Sequence, residues 1–262
     1  MQALLNTAVE AARKAGNIII RQFGQLDRLK VQAKARNEFV TQVDERAEQA
    51  IIELIQQRYP DHCFLGEESG EIEGTNKDYV WIIDPLDGTT NFIHGFPQFA
   101  VSIALQVKGR LSIGVIYDPT RDELFTASRG QGATVDGRRI RVSKARELDG
   151  SLIGTGFPYR SSEAYLETYL SMFRDVMGHA AGVRRPGSAA LDLAYLAAGR
   201  IDGFWEYGLM PWDMAAGVLM IREAGGIVSP LTNDGDYMET GNIIAGTPKV
   251  HEELKALLDK HQ

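Results

Sequence analysis

The order of the predicted secondary-structure elements constrains the fold of this chain more than any other feature of its sequence. Apolar residues recur at helical spacing in two N-terminal segments, the first ending at Gly24 and the second running from about residue 43 to 59 before Pro60. Strands and helices alternate from residue 151 onward. Between these regions lie five strand-like runs, at residues 63–65, 80–83, 99–107, 111–117 and 123–127. The pattern predicts two sheets with helices packed around them.

The chain shows no internal repeat and no long flexible linker. Consecutive strand-like runs joined by short turns, such as Lys-Gly-Arg at residues 108–110, predict antiparallel pairing in the first half. A chain of 262 residues can bury a substantial core as one unit. We therefore interpret residues 1–262 as a single domain of mixed α+β and α/β type, with subdomains at about 1–145 and 146–262.

Charge and cysteine content exclude several classes of function. The 35 acidic and 28 basic residues give a formal charge of −7, which opposes attraction to nucleic acid or to an anionic membrane. Cys63 is the only cysteine, so an intrachain disulfide is impossible and a reducing compartment is the simpler assumption. The sequence shows neither a signal peptide nor a run of about 20 apolar residues. We expect a cytoplasmic protein that binds no membrane and does not bind nucleic acid directly.

Carboxylates follow the ends of several predicted elements. Asp84 and Asp87 lie where the apolar run 80–83 leaves the core, Glu67 ends the strand-like segment CFLGEES, and Asp213 begins a helix in MPWDMAAG. Carboxylates brought together at strand ends repel one another unless cations neutralise them. The scattered histidines and the single cysteine do not suit zinc, whereas oxygen ligands suit a hard divalent ion. The sequence therefore predicts a magnesium site.

A flexible turn adjoins this acidic segment. If a helix starts at Gly88-Thr89-Thr90, its backbone N–H groups can receive a phosphate, so the segment points to phosphoryl chemistry. Each signal alone also has a purely structural interpretation. The Asp-x-x-Asp spacing is common in turns and caps, Asp213 fits an ordinary first helical turn, and Glu206 fits an exposed strand end.

Four segments together resemble the inositol monophosphatase family along nearly the whole chain, and most closely its bacterial SuhB-type branch. They are GEES at 66–69, WIIDPLDGTTNF at 81–92, GSAALDLAYLAAGR at 187–200 and PWDMAAG at 211–217. The resemblance implies the layered αβαβα sandwich of the inositol monophosphatase and fructose-1,6-bisphosphatase type. It also implies a homodimeric, lithium-sensitive hydrolase, an inositol-1-monophosphatase that uses two to three Mg²⁺ ions per active site.

The same resemblance assigns metal ligands and catalytic residues. The metal ligands it implies are Glu67, Asp84, the Leu86 carbonyl, Asp87 and Asp213. Asp44, in the segment FVTQVD, and Thr89 are implied to orient and deprotonate the attacking water, with Glu67 as the third catalytic residue. A bound ion makes water more acidic and a second stabilises the leaving oxygen, so direct hydrolysis is predicted.

Substrate contacts are implied at eight positions. The amides of Gly88 and Thr89 are expected to hold phosphate, and Glu206 to accept hydrogen bonds from ring hydroxyls. The full implied set is Asp87, Gly88, Thr89, Gly187, Ser188, Ala189, Glu206 and Asp213. Lys34 matches a mobile-loop lysine only with a one-residue gap and stays unassigned, and no contact is assigned to residues 155–160.

Three alternatives stay open at this point. A phosphatase of the haloacid dehalogenase type would form an aspartyl-phosphate, but its aspartates are spaced D-x-D rather than D-x-x-D. A same-fold phosphatase could act on fructose 1,6-bisphosphate, 3′-phosphoadenosine 5′-phosphate, NADP or histidinol phosphate. A regulatory binding protein could keep phosphatase activity as a secondary property; in that case Arg184 and Arg185 would serve a partner surface, although adjacent arginines are more often solvated.

Overall fold

The structure is a computed structural model that describes residues 1–25, 31–35, 38–158, 165–232 and 235–262, with side chains outside 31–40. The first half contains α1 (Gln2–Phe23), β1 (Val31–Ala35), β2 (Glu38–Thr41), α2 (Gln42–Arg58), β3 (His62–Gly66), β4 (Gly70–Ile72), β5 (Asn76–Asp87), α3 (Thr89–Ile93), β6 (Ala100–Val107), β7 (Arg110–Asp118), β8 (Glu123–Ser128), β9 (Gly132–Val135) and β10 (Arg138–Ile140). The second contains β11 (Leu152–Thr155), α4 (Leu166–His179), β12 (Gly182–Arg184), α5 (Ala189–Ala197), β13 (Gly203–Glu206), α6 (Pro211–Glu223), β14 (Ile227–Pro230), α7 (Tyr237–Thr240), β15 (Ile243–Gly246) and α8 (Pro248–Leu258).

The larger sheet has eight strands in the order β10-β9-β8-β7-β6-β5-β3-β4. The predicted antiparallel pairing is confirmed from β5 through β10. It is wrong for β3 and β5, which pair in parallel. The reason is β4, which runs antiparallel to β3 and returns the chain to the end where β3 starts. The chain then passes to the other side of β3 and enters β5 in the direction of β3.

Side chains alternate across the larger sheet, so that both of its faces are buried. On β5, Trp81 and Ile83 pack against α1 and α2, whereas Ile82 packs into the cluster formed with α5 and α6. This alternation follows from the two-residue repeat of a strand. The buried face of α1 is built largely of alanines, whose small size lets the helix lie close to the sheet and to α2: Ala8, Ala11, Ala12 and Ala15.

The second sheet has five strands in the order β12-β11-β13-β15-β14 and mixes parallel with antiparallel pairs. On β13, Phe204 joins the core shared with α5 and α6, and Trp205 joins the core shared with α4 and α8. The layers are therefore α1 and α2, the eight-stranded sheet, α5 and α6, the five-stranded sheet, and α4 and α8. The predicted layered αβαβα sandwich is confirmed.

Several elements differ from the sequence-based expectations. The prediction missed the short strands β1, β2, β4, β9, β10 and β12, which lack a long apolar run. The expected strand at 80–83 extends to Asp87, so that both aspartates lie within β5 rather than beyond it. The described part of α4 begins at Leu166, and Glu163, its predicted start, lies outside the described residues. The subdomain boundary near residue 145 stays a prediction.

Candidate metal centre and active-site cleft

A β-bulge near the end of β5 places Asp84 and Asp87 on the same side of the strand. Asp84 pairs with Ser102 on β6 and Asp87 with Ala100, so three steps along β5 match two along β6. Residues three apart on a regular strand point to opposite faces, and one extra residue brings them back to one face. The bulge contains Pro85, which has no N–H to lose from the ladder. The D-x-x-D spacing is therefore the sequence form of a bulge that pairs two carboxylates.

Three buried carboxylates converge at this bulge. Oxygen atoms of Asp84, Asp87 and Asp213 all lie within 4.8 Å of one another. Burial raises the pKa of Asp84 well above its ordinary value, and the neighbouring carboxylates Glu67, Asp87 and Asp213 raise it further. The half-buried side chain of Glu67 lies within hydrogen-bonding reach of Asp84. The cluster therefore carries more negative charge than the protein around it compensates.

The backbone of the bulge supports this cluster. The Leu86 N–H donates to Asp84 Oδ1 at 2.9 Å, and the Leu86 carbonyl oxygen lies 3.1 Å from Thr89 Oγ1, whose one hydrogen goes either to this carbonyl or to Asp44. A carbonyl oxygen has two lone pairs, so this contact leaves the Leu86 carbonyl one further acceptor site. Leu86 lines the same cleft as the carboxylates.

Helix N-termini fix the positions of Asp87 and Asp213. Asp213 lies in the first turn of α6, after Pro211, and its Oδ2 accepts from the Met210 N–H at 2.7 Å. Asp87 Oδ2 accepts from the Ser188 hydroxyl at 2.5 Å and from the Ala190 N–H at 2.8 Å. Both carboxylates thereby satisfy N–H groups that a helix cannot satisfy itself.

Ser188 was predicted as a substrate contact, and the structure gives its hydroxyl two other roles. It donates to Asp87, and it accepts from the Leu191 N–H at 3.4 Å as the N-cap of α5. Ser188 still borders the cleft, but its side chain is 1% exposed. The hydroxyl therefore positions a predicted metal ligand on the opposite layer of the fold.

Asp44 lies behind Thr89 and acts on the cleft through it. The Thr89 hydroxyl donates to Asp44 Oδ1 at 2.9 Å, and Thr41 donates to Asp44 Oδ2 from its N–H at 2.9 Å and its hydroxyl at 2.6 Å. Burial raises the pKa of Asp44, and the hydrogen bonds from Thr41 and Thr89 oppose that rise. Because Thr89 has a single hydroxyl hydrogen, donation to Asp44 leaves its oxygen lone pairs to accept from a water molecule.

The predicted residues line one cleft of about 410 Å³, apart from Asp44 behind Thr89. Gly88 precedes the short helix α3 with φ +97°, and a Cβ there would lie 2.9 Å from the Gln98 carbonyl oxygen. Glycine is therefore required at this turn. Glu206 is half-buried at the end of β13 and borders the cleft with Gly187 and Ala189.

The cleft also contains residues that the sequence analysis did not assign. Thr155, Gly156 and Phe157 form part of its wall, although residues 155–160 were given no contact; residues 159 and 160 lie outside the described residues. Arg185 was interpreted as solvated; it is exposed, and it also borders the cleft, with its guanidinium carbon 4.7 Å from the centre of the Phe157 ring. The sequence offered no periodic signal for these residues.

Two further residues lie inside the quoted motifs and were still missed. Asn91 donates from Nδ2 to the Pro186 carbonyl at 2.9 Å and to the Gln98 carbonyl at 2.8 Å, tying α3 to the turn before α5. Asp192, in the first turn of α5, borders the cleft and is 3% exposed. Burial raises the pKa of Asp192 well above its ordinary value; Glu206 and Asp87 raise it further, and Arg185 opposes them.

Two other expectations concern the rest of the molecule. Lys34 lies on β1, but its side chain is outside the described residues, so its assignment stays open. Over the ranges that the structure describes, no helix combines the length and apolar character needed to cross a bilayer.

The fold and the cleft together define a layered αβαβα protein with a buried carboxylate cluster of the kind that holds metal ions. The model of the inositol monophosphatase family matches residues 1–262, and the chain belongs to this family of phosphatases. The predicted family resemblance is confirmed.

The relatives agree with this assignment. Nus factor SuhB of Escherichia coli (strain K12) is 55% identical over 258 residues, covering 98% of this chain and 95% of the relative. The extragenic suppressor protein suhB from Bartonella henselae has a solved structure with a TM-score of 0.95 and 48% identity, covering 98% of this chain and 99% of that one. The inositol monophosphatase from Anabaena (Nostoc) sp. PCC 7120 has a TM-score of 0.86 and 41% identity, covering 99% and 96%. The likeness to the SuhB-type branch is therefore also confirmed.

Proposed function

We propose that the protein is a magnesium-dependent phosphomonoesterase that hydrolyses inositol 1-phosphate and related polyol phosphates to the free polyol and phosphate. The observation that carries the proposal is the convergence, in one cleft, of the bulge carboxylates with the Thr89–Asp44 pair. The bulge carboxylates supply ligands for cations, and the Thr89–Asp44 pair supplies an acceptor for the proton of water. Membership of the inositol monophosphatase family supports the same conclusion.

The donor set fits magnesium. All the side-chain donors of the cluster are carboxylate oxygens, and a carbonyl oxygen from Leu86 lies beside them. Burial and the charges of Glu67, Asp87 and Asp213 raise the pKa of Asp84, and bound divalent ions would offset that repulsion. We propose that Glu67, Asp84, the Leu86 carbonyl, Asp87 and Asp213 hold two to three Mg²⁺ ions. When bound, Mg²⁺ lowers the pKa of water and neutralises charge that develops on phosphate and on the leaving oxygen.

The residues of the chain can perform the remaining steps. Thr89 accepts a hydrogen bond from the attacking water while donating its own proton to Asp44, so the two residues orient the water and receive its proton. The amides of Gly88 and Thr89, at the start of α3, hold the phosphate oxygens. The water oxygen bonds to phosphorus and the phosphorus–oxygen ester bond breaks. The departing polyol oxygen takes up a proton from solvent water, and the Thr89–Asp44 pair returns to solvent the proton that it received. No covalent phosphoenzyme is formed in this scheme.

In this proposal, the cleft wall formed by the second half of the chain selects the substrate. We propose that Glu206 accepts hydrogen bonds from ring hydroxyls and that Gly187 and Ala189 let the ring approach the backbone. Gly187 has φ +92°, and a Cβ there would lie 3.0 Å from Asn91 Nδ2, so a side chain at this turn would be strained and tightly packed. Fructose 1,6-bisphosphate, 3′-phosphoadenosine 5′-phosphate and NADP are the alternative substrates.

The names of the relatives favour a second candidate function. The Escherichia coli protein that is 55% identical to this chain is called a Nus factor, a name that refers to transcription. We propose as the alternative that this chain takes part in a transcription complex through a protein partner, with phosphatase activity as a secondary property. Homodimerisation, lithium sensitivity and a cytoplasmic location stay predictions.

The first test is phosphate release from inositol 1-phosphate and the three alternative substrates, each with Mg²⁺ and with EDTA. Magnesium-dependent release favouring inositol 1-phosphate is the expected result. A different preferred substrate would keep the mechanism and change the substrate, and a trapped phosphoenzyme would exclude direct attack by water. No release from any substrate would favour the partner-binding function.

Two variants assign roles within that assay. Asp87→Asn is expected to weaken metal binding and abolish turnover with the fold retained, as judged by circular dichroism, because an amide keeps the shape but loses the charge. Glu206→Gln is expected to change the preference among substrates while keeping metal binding. Near-normal turnover in the first variant, or an unchanged substrate profile in the second, would remove that residue from its proposed role.

A further inference from the structure

Asp192 is a buried carboxyl group that the proposed mechanism does not use. It lies in the first turn of α5, is 3% exposed, and borders the cleft that contains the bulge carboxylates. Within the part of the chain that the structure describes, no hydrogen bond reaches its carboxyl group. Because Asp192 borders the cleft, its carboxyl group can pair with a hydroxyl of a ligand that binds there.

The neighbours of Asp192 define one end of the cleft. Glu206 and Arg185 both border this region, and their charges act on Asp192 in opposite directions. A Cβ on Gly156 would overlap the Glu206 carboxylate, so glycine keeps that carboxylate in place. Arg185 is held over the Phe157 ring. Two carboxyl groups thus line the cleft near one arginine, and the proposed metal ligand Asp87 also acts on Asp192.

The chemistry of this end suits a hydroxylated ligand better than a second phosphate. The carboxyl groups of Asp192 and Glu206 repel an anion, and Arg185 opposes the rise in the pKa of Asp192 without cancelling it. A hydroxyl group both donates and accepts, so it can pair with a carboxyl group in either protonation state. A ligand with two hydroxyls could therefore donate one hydrogen bond to Asp192 and another to Glu206.

We propose that Asp192 is a specificity residue that hydrogen-bonds a second hydroxyl of the substrate polyol, beside the hydroxyl that Glu206 receives. The site then selects phosphate esters of polyols with two neighbouring free hydroxyls over esters of alcohols that lack them. This inference rests on the proposed function and deepens it by adding a substrate-recognition residue.

The test compares inositol 1-phosphate with cyclohexyl phosphate, which has the same ring without the hydroxyls. Asp192→Asn is expected to raise the KM for inositol 1-phosphate about 10-fold with little change in kcat, and to leave cyclohexyl phosphate unaffected, because only uniform binding to a hydroxyl is lost. Tyr195→Phe is the control on the same helix; its ring contacts Arg200 and Phe125 rather than the cleft.

Two results would overturn the inference. An unchanged KM for inositol 1-phosphate would show that Asp192 makes no contact with the substrate. Equal losses of activity with inositol 1-phosphate and with cyclohexyl phosphate would show that Asp192 acts on the metal site or on the fold. If Asp192→Asn does not fold, the wild-type protein is assayed with singly deoxygenated inositol phosphates. Removing the hydroxyl that meets Asp192 is expected to raise KM by the same factor, and a series in which no deoxy position matters would refute the contact.

A binding measurement separates this inference from the phosphatase proposal. Calorimetric titration with myo-inositol, in the presence of Mg²⁺ and inorganic phosphate, needs no turnover. Weaker binding of myo-inositol by Asp192→Asn than by the wild type supports the contact, and equal binding, or no binding to either, refutes it. A wild-type protein that binds myo-inositol but releases no phosphate would refute the phosphatase proposal and keep the role of Asp192.

Discussion

Replacing Asp84 by Asn is expected to change stability in opposite directions with and without metal. Asp84 lies among carboxylates whose oxygens are within 4.8 Å of its own. At that distance two charges repel by about 3.5 kcal/mol with an effective dielectric constant of about 20. The folded protein can avoid this repulsion by protonating one carboxyl group, which costs no more than about 4 kcal/mol at pH 7. Asparagine removes the charge and keeps an oxygen for the Leu86 N–H.

These limits set the expected size of the effect. In EDTA, we expect Asp84→Asn to raise the free energy of unfolding by about 2 kcal/mol, a value between zero and the cost of about 4 kcal/mol for protonating one carboxyl group. The melting temperature should rise by roughly 4–8 °C. With Mg²⁺ at about 100 times its dissociation constant, the wild type gains about 2.7 kcal/mol from binding. The variant has lost a central ligand and gains little. The order of the two stabilities therefore reverses when metal is added.

Thermal unfolding followed by circular dichroism, in EDTA and in saturating Mg²⁺, measures both effects. Asp118→Asn is the matched control, because Asp118 is equally buried but has Arg121 at 2.7 Å as its ion-pair partner. This control should lose stability in both conditions and keep the response to Mg²⁺. If Asp84→Asn is destabilised in EDTA, or gains as much from Mg²⁺ as the wild type, the carboxylates do not form a charge-deficient metal site.

Three further predictions follow from the same contacts. The metal-free wild type should lose stability relative to Asp84→Asn as pH rises. The raised folded pKa of Asp84 contributes to the free energy of unfolding in full below the unfolded pKa of 3.8, and this contribution is lost as pH rises through the folded pKa. Parallel pH–stability curves of the two proteins would contradict this prediction. Thr89→Val should lower kcat about 100-fold or more, and Thr89→Ser should restore most of it, because the hydroxyl links Asp44 to the attacking water; equal rates in the two variants would refute the link. Gly156→Ala should raise the KM for inositol 1-phosphate without changing stabilisation by Mg²⁺, since the added Cβ displaces Glu206; an unaltered KM would count against that contact.

The sequence pattern predicted two sheets with helices around them because the signals for these elements are local, whereas the order of the layers was implied by the family resemblance. Apolar periodicity is set by which side of a helix or strand is buried, so it identified the long helices and the central strands with boundaries close to those observed. Short edge strands such as β4 and β10 form only because a neighbouring strand is present, and three residues do not show a period. The parallel pairing of β3 and β5 depends on the path of the chain through β4, which no local pattern encodes.

The candidate site shows the same division. Asp84, Asp87 and Asp213 were found because they stand at predicted element ends in recognised motifs, and the structure brings them together. Asp192 lies inside a quoted motif, but no role was predicted for it. Only the packing of α5 against the cleft shows that its carboxyl group is buried. Arg185 was likewise interpretable only once its position over a ring was known.

The hydrogen bonds of Asp87 explain why the site cannot belong to one half of the chain alone. Asp87 is on β5 of the larger sheet, and its Oδ2 binds the Ser188 hydroxyl and the Ala190 N–H at the start of α5. A carboxylate held by two donors is fixed in orientation, which metal coordination requires. Asp213 lies in the first turn of α6, and this helix packs between the two sheets. The proposed metal ligands are therefore correctly placed only when α5 and α6 are docked on β5. We expect metal binding to report the assembly of the whole sandwich rather than the folding of β5 and its neighbours.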